Sequence, residues 1–399
     1  MKAVLLAGGV GRHMYPLTEG YPKPLLRVAG KPLIEYPIRG LESMGVSEYI
    51  VVVSDERVEK YVEERLGLKA TIVWQKGEEL EGALSDASDY LGKEESFILA
   101  YSDIIAPPEM YTQLINAYNV RGATAAFTLV PMSDVETYGV AQVDFETGKV
   151  VRVLEKPPPR EALTSYALAG AYILPSRVAF EVKDGLKLPE AFSREVGRGE
   201  TIPLIWSGDW IDVGYPWDIL SANFMVLGRL SEVRISKEAT VSSTAIIEGP
   251  VVIDRGAVVD HYAVIKGPAY IGPETMVGKA AFIREYTSLE EKSVVGAFSE
   301  VKRSSLQPSS STGSYVLLVD SVLGPEAVVE PRVTVMSKLE EGIDIHRMLP
   351  LQGLVKKYKK LGIYTAPKVR VKAASVLNPA SIIHSDGSIT SAIRRSVAT

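Results

Sequence analysis

The sequence predicts an α/β layer domain followed by a solenoid of parallel β-strands. Up to about residue 230, short apolar runs such as "KAVLLA" and "YIVVVS" alternate with helix-like segments. That alternation is typical of a mostly parallel sheet covered on both faces. From residue 235 the apolar period becomes six, which fits neither a helix nor a regular strand. We therefore predict two domains, residues 1–230 and 231–399.

The six-residue period places one aliphatic side chain at each inward position of a coil that turns a corner every six residues. Stacked coils of this kind lie about 4.8 Å apart. A β-sandwich of short strands is the alternative, but it does not explain so long a run. The run consists of Ile235, Val241, Ile247, Ile253, Val259, Ile265, Ile271, Val277, Ile283, Leu289, Val295 and Val301.

The later coils are predicted to be irregular. "SSLQPSSSTGS" interrupts the period after Val301, and "LVKKYKKLG" is predicted to be a basic helical excursion before a final set of coils and a polar tail. The inward residues predicted after the interruption are Leu317, Leu323, Val329, Val335, Val371, Leu377, Ile383 and Ile389.

Composition gives no general reason to expect nucleic acid or a membrane as partner. Apolar residues make up 46% and charged residues 23% of the 399, and the formal net charge is −5. The absence of cysteine excludes thiol catalysis and thiolate metal sites, and the histidines at 13, 261, 346 and 384 are scattered. Because no secretory leader and no apolar run of about 18 residues occur, we expect a cytoplasmic protein.

"AGGVG" directly follows the first strand and can present backbone N–H groups to a phosphate. It is not a Walker loop, because no Lys-Ser/Thr pair follows, and Met14 occupies the third glycine position of the dinucleotide fingerprint. Lys23 lies between two prolines, on a stiff backbone suited to a second phosphate contact. Asp103 follows the strand "FILAYS", which places it on the same rim of the sheet as the glycine loop.

These residues resemble the sugar-1-phosphate nucleotidylyltransferases. "LAGGVGRHMYPLTEGYPKPLLRVAGKPLIEY" is similar to their opening signature, and "YSD", "YGV", "EKP", "AGAYIL" and "WIDVGYPWDILSAN" follow in order. With the hexapeptide repeats, the whole chain is similar to archaeal members that join this domain to a left-handed β-helix acyltransferase domain. The resemblance implies a Rossmann-like mixed sheet followed by a left-handed parallel β-helix.

The resemblance also implies a site. Asp103 and Asp212 would hold Mg²⁺, Lys23 would contact the triphosphate, and Arg12 and His13 would belong to the catalytic loop. A turn or cap role for the aspartates and a solvated surface role for the lysines are the plainer alternatives. The implied substrate-binding residues are Ala7, Gly8, Gly9 and Gly11 for the triphosphate, Gln75 and Gly82 for the base, Lys156 for the sugar phosphate, and Gly139, Glu155 and Gly170 for the sugar.

Four positions depart from the family pattern. His13 replaces an arginine and Tyr166 replaces an asparagine in the first domain. In the β-helix, Ser314 and Ser337 stand where the acetyl-transfer histidine and asparagine belong. A serine cannot act as the general base for an amine, so we expect that acetyl transfer is lost.

The favoured hypothesis is a Mg²⁺-dependent enzyme that forms an NDP-sugar and pyrophosphate from a nucleoside triphosphate and a hexose 1-phosphate, with glucose 1-phosphate favoured. The alternative is a weak or silent regulatory or scaffold paralogue of a pyrophosphorylase or of an exchange-factor-like complex. Loss of the arginine at position 13 favours the silent subunit, and retention of both aspartates favours the enzyme.

Since solenoid ends and sides associate readily, we expect a homo-oligomer, with a trimer favoured. The base and the sugar cannot be identified from the sequence.

Overall fold

The computed structural model describes the chain except residues 78, 133–136, 158–163, 165, 340–347, 353–355, 357–358 and 394–399. His346, four of the nine residues of the predicted helical excursion and the end of the polar tail therefore lie outside the described residues. By internal contacts the chain forms two compact units. The first unit is Met1–Val10 with Leu33–Asp212, and the second is Gly11–Pro32 with Val213–Thr399. The predicted division near residue 230 stays a prediction, and no sequence pattern indicates that residues 11–32 join the second unit.

The elements up to residue 227 alternate between strands and helices. The strands are β1 (Ala3–Ala7), β2 (Arg27–Val28), β3 (Lys31–Pro32), β4 (Tyr49–Val53), β5 (Ala70–Trp74), β6 (Ser96–Tyr101), β7 (Ile104–Ile105), β8 (Ala125–Pro131), β9 (Gly139–Asp144), β10 (Lys149–Glu155), β11 (Tyr166–Pro175), β12 (Thr201–Ile205) and β13 (Ile211–Asp212). The α-helices are α1 (Glu35–Ser43), α2 (Glu56–Lys60), α3 (Glu79–Ser88), α4 (Pro108–Arg121), α5 (Ser176–Lys183), α6 (Leu188–Gly197) and α7 (Asp218–Leu227). Short 3-10 turns cover Arg12–Met14 and Lys23–Leu25, and a π-helical turn, Tyr61–Leu66, follows α2.

The first unit is built on a mixed sheet, as predicted. Its strands run in the order β10-β9-β11-β6-β1-β4-β5, and β8 pairs with both β11 and β12. The strands β1, β4, β5 and β6 are parallel, because helical crossovers connect them. The prediction of a mostly parallel sheet is confirmed for these strands and for β8 with β12. β11 runs antiparallel to β6, β8 and β9, and a short turn joins β9 to β10 as an antiparallel pair.

The core of the first unit packs apolar side chains of the sheet against its helices. All five residues of β1 are buried, since β1 lies between β4 and β6. An aromatic group of Phe127, Tyr172 and Phe192 packs with ring centroids 4.9 to 5.4 Å apart, a range typical of favourable aromatic contacts. Every helix within the described residues is too short or too polar to cross a bilayer.

The second unit contains three sheets of short strands, as in a left-handed β-helix. The first sheet contains β14 (Arg234–Ile235), β17 (Val251–Ile253), β20 (Ala269–Ile271), β23 (Thr287–Leu289), β26 (Ser305–Leu306), β29 (Val322–Leu323), β32 (Ile363–Thr365), β35 (Ser381–Ile383) and β36 (Ile389–Ser391). The second contains β15 (Thr240–Val241), β18 (Val258–Val259), β21 (Met276–Val277), β24 (Val294–Val295), β27 (Ser311–Thr312), β30 (Val328–Val329) and β33 (Arg370–Val371). The third contains β16 (Ile246–Glu248), β19 (Val264–Lys266), β22 (Phe282–Ile283), β25 (Glu300–Lys302), β28 (Leu317–Val319), β31 (Thr334–Val335) and β34 (Val376–Leu377).

The predicted inward stack is confirmed over its central coils. From Ile253 to Val301 the aliphatics at six-residue spacing are at most 1% exposed and belong to one apolar cluster. Ile235 is 47% exposed because its strand belongs to the first coil, which has no coil before it to cover it. The six-residue period in the sequence therefore correctly predicted the core residues of the solenoid from Ile253 to Val301.

One prediction about the later coils is confirmed and two are wrong. "SSLQPSSSTGS" breaks the six-residue period as predicted, because the step from Val301 to the next inward residue, Leu306, is five positions. Its residues nevertheless form β26 and β27 of the solenoid. The inward residue at the next predicted position is Leu318 rather than Leu317, because the step from Leu318 to Leu323 is again five positions. Ile389 is 58% exposed, since β36 folds back antiparallel to β35 instead of starting another coil.

Corners of the solenoid place non-glycine residues in the left-handed region. Ala280, Phe298 and Tyr315 have φ values of 53°, 58° and 60°, a conformation that is uncommon for non-glycine residues. Each donates its N–H to a carbonyl of the preceding coil at 2.9 to 3.0 Å. The lateral hydrogen bonds thus offset the local backbone strain at the corners.

Candidate active site

The glycine turn and Asp103 leave the sheet at the same edge. In the parallel pair β1–β6, Leu6 lies opposite Tyr101, and the N–H of Ser102 donates to the Leu6 carbonyl at 3.2 Å. Gly8 and Asp103 each come two residues after these partners. The carboxyl ends of parallel strands are where ligands bind in α/β sheets, so both residues lie on the rim that the sequence predicts.

Gln75 covers the first glycine of the turn. A Cβ on Gly8 would lie 2.0 Å from Gln75 Oε1, so only glycine fits without displacing this side chain. Gln75 Nε2 donates to the carbonyls of Gly77 and Glu79, each at 2.9 Å. Its Oε1 is buried and has no hydrogen-bond partner among the described residues. By contrast, Gly9 has open space where a Cβ would be.

Gly82 has a packing role. A Cβ there would lie 2.3 Å from the carbonyl carbon of Gly77, so α3 can approach the loop before it only with glycine at this position. Asp86 Oδ2 accepts the N–H groups of Lys76 and Gly77 at 2.7 and 3.2 Å. The loop that carries Gln75 is therefore fixed to α3 at two points.

The two aspartates lie on neighbouring backbone positions. β7 and β13 pair antiparallel, with Asp212 opposite Ile104, and Asp103 directly precedes Ile104. Directly opposite Cα atoms in such a pair are about 4.5–5.5 Å apart. Both aspartates are partly exposed. The structure thus brings together the backbones of two aspartates that are 109 residues apart in sequence (212 − 103).

A buried tyrosine pair lies beside these carboxylates. The rings of Tyr101 and Tyr172 meet edge to face at 5.9 Å. Burial raises the pKa of both hydroxyls, and nearby charges raise them further: Glu155 and Asp103 for Tyr101, Glu155 and Asp212 for Tyr172. Glu155 therefore contributes to the raised pKa of both hydroxyls, and each aspartate contributes to that of one.

Gly170 makes this arrangement sterically possible. It has φ +76°, and a Cβ there would lie 2.8 Å from Ile104 Cγ1 and 3.1 Å from the Tyr101 ring. The register of β11 with β8 shifts between Leu168 and Tyr172, as in a β-bulge. The Gly170 N–H donates to the Tyr172 hydroxyl at 3.1 Å. The bulge therefore lets β11 pack closely against Tyr101 and Ile104, which flank Asp103 in the chain.

Gly139 and Glu155 are cross-strand partners. A Cβ on Gly139 would lie 2.8 Å from Glu155 Oε2, so the glycine makes room for this carboxylate. Burial raises the pKa of Glu155, with Lys156 opposing and Glu81 adding to the shift. Lys156 is exposed, has φ 42°, and lies 3.8 Å from Glu155.

An aromatic group was not among the predicted site residues. Trp210 Nε1 donates to the Ala169 carbonyl at 3.0 Å, next to Gly170. The Trp210 and Tyr138 rings are 6.0 Å apart. Both residues belong to the family motifs "YGV" and "WIDVGYPWD", so the sequence contains a signal for this aromatic pair. Tyr166, at the position of the family asparagine, packs its ring 6.1 Å from Phe145.

The remaining predicted catalytic residues belong to the second unit. Gly11 has φ +66° and begins the 3-10 turn of Arg12 and His13, both of which are exposed. A Cβ on Gly11 would lie 3.2 Å from Lys23 Cβ, so the turn and the lysine are neighbours. The His13 ring is 5.6 Å from that of Tyr215.

Lys23 is followed by a hairpin, β2–β3, that contacts β-helix residues of the same unit. The N–H of Gly30 donates to Glu290 Oε2 at 3.0 Å, and Ser288 donates to Oε1 at 2.5 Å. Burial raises the pKa of Glu290 to about 7, although Ser288, Arg27 and Gly30 oppose this shift. The other titratable groups nearby are Tyr270, Asp254 and Glu291.

Glu290 gives a pH-dependent stability. Its pKa of about 7 in the folded state exceeds its ordinary value of 4.5, so the folded state binds more protons than the unfolded state between these pH values. The free energy of unfolding therefore falls as pH rises from 4.5 to 7, by about 3 kcal/mol in total. Glu290→Gln keeps an acceptor for Gly30 and does not titrate. We expect its free energy of unfolding to exceed that of wild type most at pH 8, in urea titrations from pH 4.5 to 8. Glu326→Gln is the control, because Glu326 is an exposed β-helix carboxylate, and its free energy of unfolding should change with pH as that of wild type does. The same pH dependence in Glu290→Gln as in wild type would contradict the raised pKa of Glu290.

A mixed α/β sheet with a glycine turn and an aspartate beyond the carboxyl ends of its parallel strands is typical of nucleotide-binding proteins. Residues 2–227 match the family model described as nucleotidyl transferase. The chain therefore belongs to the nucleotidyl transferase family, which confirms the predicted enzyme class.

Relatives extend the similarity beyond the first domain. The chain is 32% identical to the bifunctional protein GlmU of Methanococcus maripaludis strain C5, over 81% of this chain and 77% of that protein. It is 31% identical to the low-salt glycan biosynthesis nucleotidyltransferase Agl11 of Haloferax volcanii, over 82% and 93%. It is 29% identical to a bifunctional sugar-1-phosphate nucleotidylyltransferase/acetyltransferase of Sulfurisphaera tokodaii, over 82% and 80%.

A solved structure supports the fold. A crystal structure from Bacillus anthracis, assigned as a glucose-1-phosphate thymidylyltransferase, matches with a TM-score of 0.52 at 24% identity. The match covers 59% of this chain and 98% of that one. It shows that the two chains share a fold.

Proposed function

We propose that this protein is a Mg²⁺-dependent sugar-1-phosphate nucleotidylyltransferase with a hexose 1-phosphate substrate, glucose 1-phosphate being favoured. The proposal is carried by the neighbouring carboxylates Asp103 and Asp212 at the rim that also bears the glycine turn. The names of the relatives from Sulfurisphaera tokodaii and Haloferax volcanii agree with this reaction class. Homo-oligomerisation, with a trimer favoured, and a cytoplasmic location belong to the same proposal.

In the proposed reaction a phosphate oxygen of the sugar 1-phosphate attacks the α-phosphorus of the nucleoside triphosphate. The bond between the α-phosphorus and its bridging oxygen breaks, and pyrophosphate leaves. No covalent enzyme intermediate is required, so the protein contributes in-line positioning and charge neutralisation. The backbone N–H groups of Gly8, Gly9 and Gly11 would hold the triphosphate, assisted by Lys23, and Lys156 would meet the sugar phosphate.

The aspartate pair fits a magnesium ion. Asp103 and Asp212 are partly exposed carboxylates on adjacent backbone positions, and Mg²⁺ commonly binds one or two carboxylates while keeping waters and substrate phosphates as further ligands. When bound, the ion neutralises charge that develops on the phosphates. No group of three or more potential metal ligands occurs among the described residues, which agrees with a site completed by substrate.

We assign recognition of the base and recognition of the sugar to different residues. Gln75 and Gly82 would lie beside the base, as the family resemblance implies. Glu155 would accept a sugar hydroxyl, and Trp210 would contact the apolar face of the ring, as aromatic side chains can. The proposal leaves the identity of the base open.

Acetyl transfer is proposed to be lost. Ser314 and Ser337 occupy the positions of the family histidine and asparagine, and serine cannot act as general base toward an amine. Because relatives such as the GlmU of Methanococcus maripaludis are named bifunctional, the test is acetyl-CoA consumption in the presence of glucosamine 1-phosphate. Sustained thiol release by the wild-type protein would contradict this part of the proposal.

Pyrophosphate release from four nucleoside triphosphates, each with glucose 1-phosphate, N-acetylglucosamine 1-phosphate and mannose 1-phosphate, tests the function. We expect turnover by wild type with at least one pair. His13→Arg should raise kcat/KM about tenfold, because a charged guanidinium donates two parallel hydrogen bonds to phosphate. His261→Arg adds the same charge among the first β-helix coils and should change nothing. Activity in His13→Arg alone would favour the silent-subunit alternative.

A further inference from the structure

We propose that the late β-helix coils hold the Lys23 segment, residues 16–32, in its working position through two clasps formed by Glu19 with His384 and by Arg27 with Gln307. These partners are then positioning residues for nucleotidyl transfer. The inference rests on the proposed function, in which Lys23 contacts the triphosphate. All the contacts that carry it lie within the second compact unit.

The first clasp joins Glu19 to the end of β35. His384 Nδ1 lies 2.6 Å from Glu19 Oε1, and the Ser385 N–H donates to Oε2 at 2.7 Å. His384 Nε2 lies 2.8 Å from Thr390 Oγ1, so both ring nitrogens are engaged and the ring is oriented. Burial raises the pKa of Glu19, but the hydrogen bonds from His384 and Ser385 leave it below its ordinary value. The carboxylate is therefore held as an anion by both of its oxygens.

The second clasp imitates the pairing of two β-strands. Gln307 Oε1 accepts the Arg27 N–H at 2.8 Å, and Gln307 Nε2 donates to the Arg27 carbonyl at 2.9 Å. Gln307 is fully buried, so an unmatched amide there would be costly. The Arg27 guanidinium also pairs with Glu291 at 3.0 Å. Residue 27 is thus fixed through both its main chain and its side chain.

Lys23 lies midway between the clasps, four residues from Glu19 and four from Arg27. It begins a 3-10 turn and is flanked by Pro22 and Pro24. A short, proline-stiffened bridge between two fixed ends leaves its Cα little freedom. Release of either end would let the Lys23 ammonium group occupy a wider volume. A displacement of about 1 Å from the productive geometry can lower the reaction rate by about two orders of magnitude.

His384→Ala opens the first clasp at a partly exposed site, where side-chain exposure is 27% for His384 and 13% for Glu19. We expect kcat/KM for the nucleoside triphosphate to fall about tenfold while the melting temperature stays close to that of wild type. His384→Asn should restore most of the loss, because its amide nitrogen can take the place of Nδ1. His261→Ala is the matched control, since Nδ1 of His261 lies 2.8 Å from Ser242 Oγ and 3.1 Å from Thr244 Oγ1 among the first β-helix coils.

Equal kcat/KM in His384→Ala and His261→Ala would overturn the proposal. Glu19→Ala breaks the same clasp and replaces His384→Ala in this comparison if His384→Ala does not fold. If wild type turns over no substrate pair, the proposed function fails, and the clasp is judged by hydrogen exchange of residues 18–30. Faster exchange there in His384→Ala than in His261→Ala supports the clasp, and identical exchange overturns it.

Discussion

Asp103→Asn and Asp212→Asn are each expected to lower kcat of nucleotidyl transfer about 10³-fold, equivalent to about 4 kcal/mol of transition-state stabilisation. The physical reason is that asparagine keeps the size of the side chain but removes the negative charge that a divalent cation requires. The measurement is steady-state pyrophosphate release at saturating triphosphate and sugar phosphate, with Mg²⁺ varied. The apparent affinity for Mg²⁺ should weaken in both variants.

Asp89→Asn is the matched control, because Asp89 is an exposed carboxylate that pairs with Lys183. Its kcat should stay within about twofold of wild type, as is usual for surface substitutions away from a site. The double variant Asp103→Asn/Asp212→Asn should lose little more than either single variant, since residues that act as a unit are not additive. Full additivity would argue that the two aspartates act separately.

Gly170→Ala is expected to cost about 3 kcal/mol in the free energy of unfolding. Part of this cost arises because φ +76° is strained for alanine, by about 1–2 kcal/mol. The rest arises because the new Cβ would lie 2.8 Å from Ile104 Cγ1, a contact that requires displacement. Urea unfolding measures the loss. Activity of the folded fraction should also fall, since Ile104 adjoins Asp103 and pairs with Asp212.

Gly122→Ala separates the two contributions. Gly122 ends α4 with φ +59° and has open space where a Cβ would be, so this variant suffers only the backbone strain. We expect it to lose about 1 kcal/mol and to retain wild-type activity. If Gly122→Ala and Gly170→Ala were equally destabilised, the packing of Gly170 against Ile104 would carry no energetic weight.

Local patterns predicted what depends on local geometry. The period of six identified the inward residues from Ile253 to Val301, because each coil repeats the same backbone path. The glycine turn after β1 and the aspartate after β6 were placed on one rim because parallel strands end together. The error at Leu317 came from the five-residue step between Leu318 and Leu323, the second such step after Val301, which a fixed period cannot anticipate.

The sequence by itself determined the two architectures, the family and the candidate rim. Only the tertiary structure decided that the Lys23 segment belongs with the β-helix, through a Gln307 amide that meets the Arg27 backbone across 280 residues. It also decided that Gly170 forms a bulge against Ile104. The physical reason is that a repeat or a turn is encoded by neighbouring residues. A contact between distant segments depends on where two independently folded elements come to lie, and no local pattern carries that information.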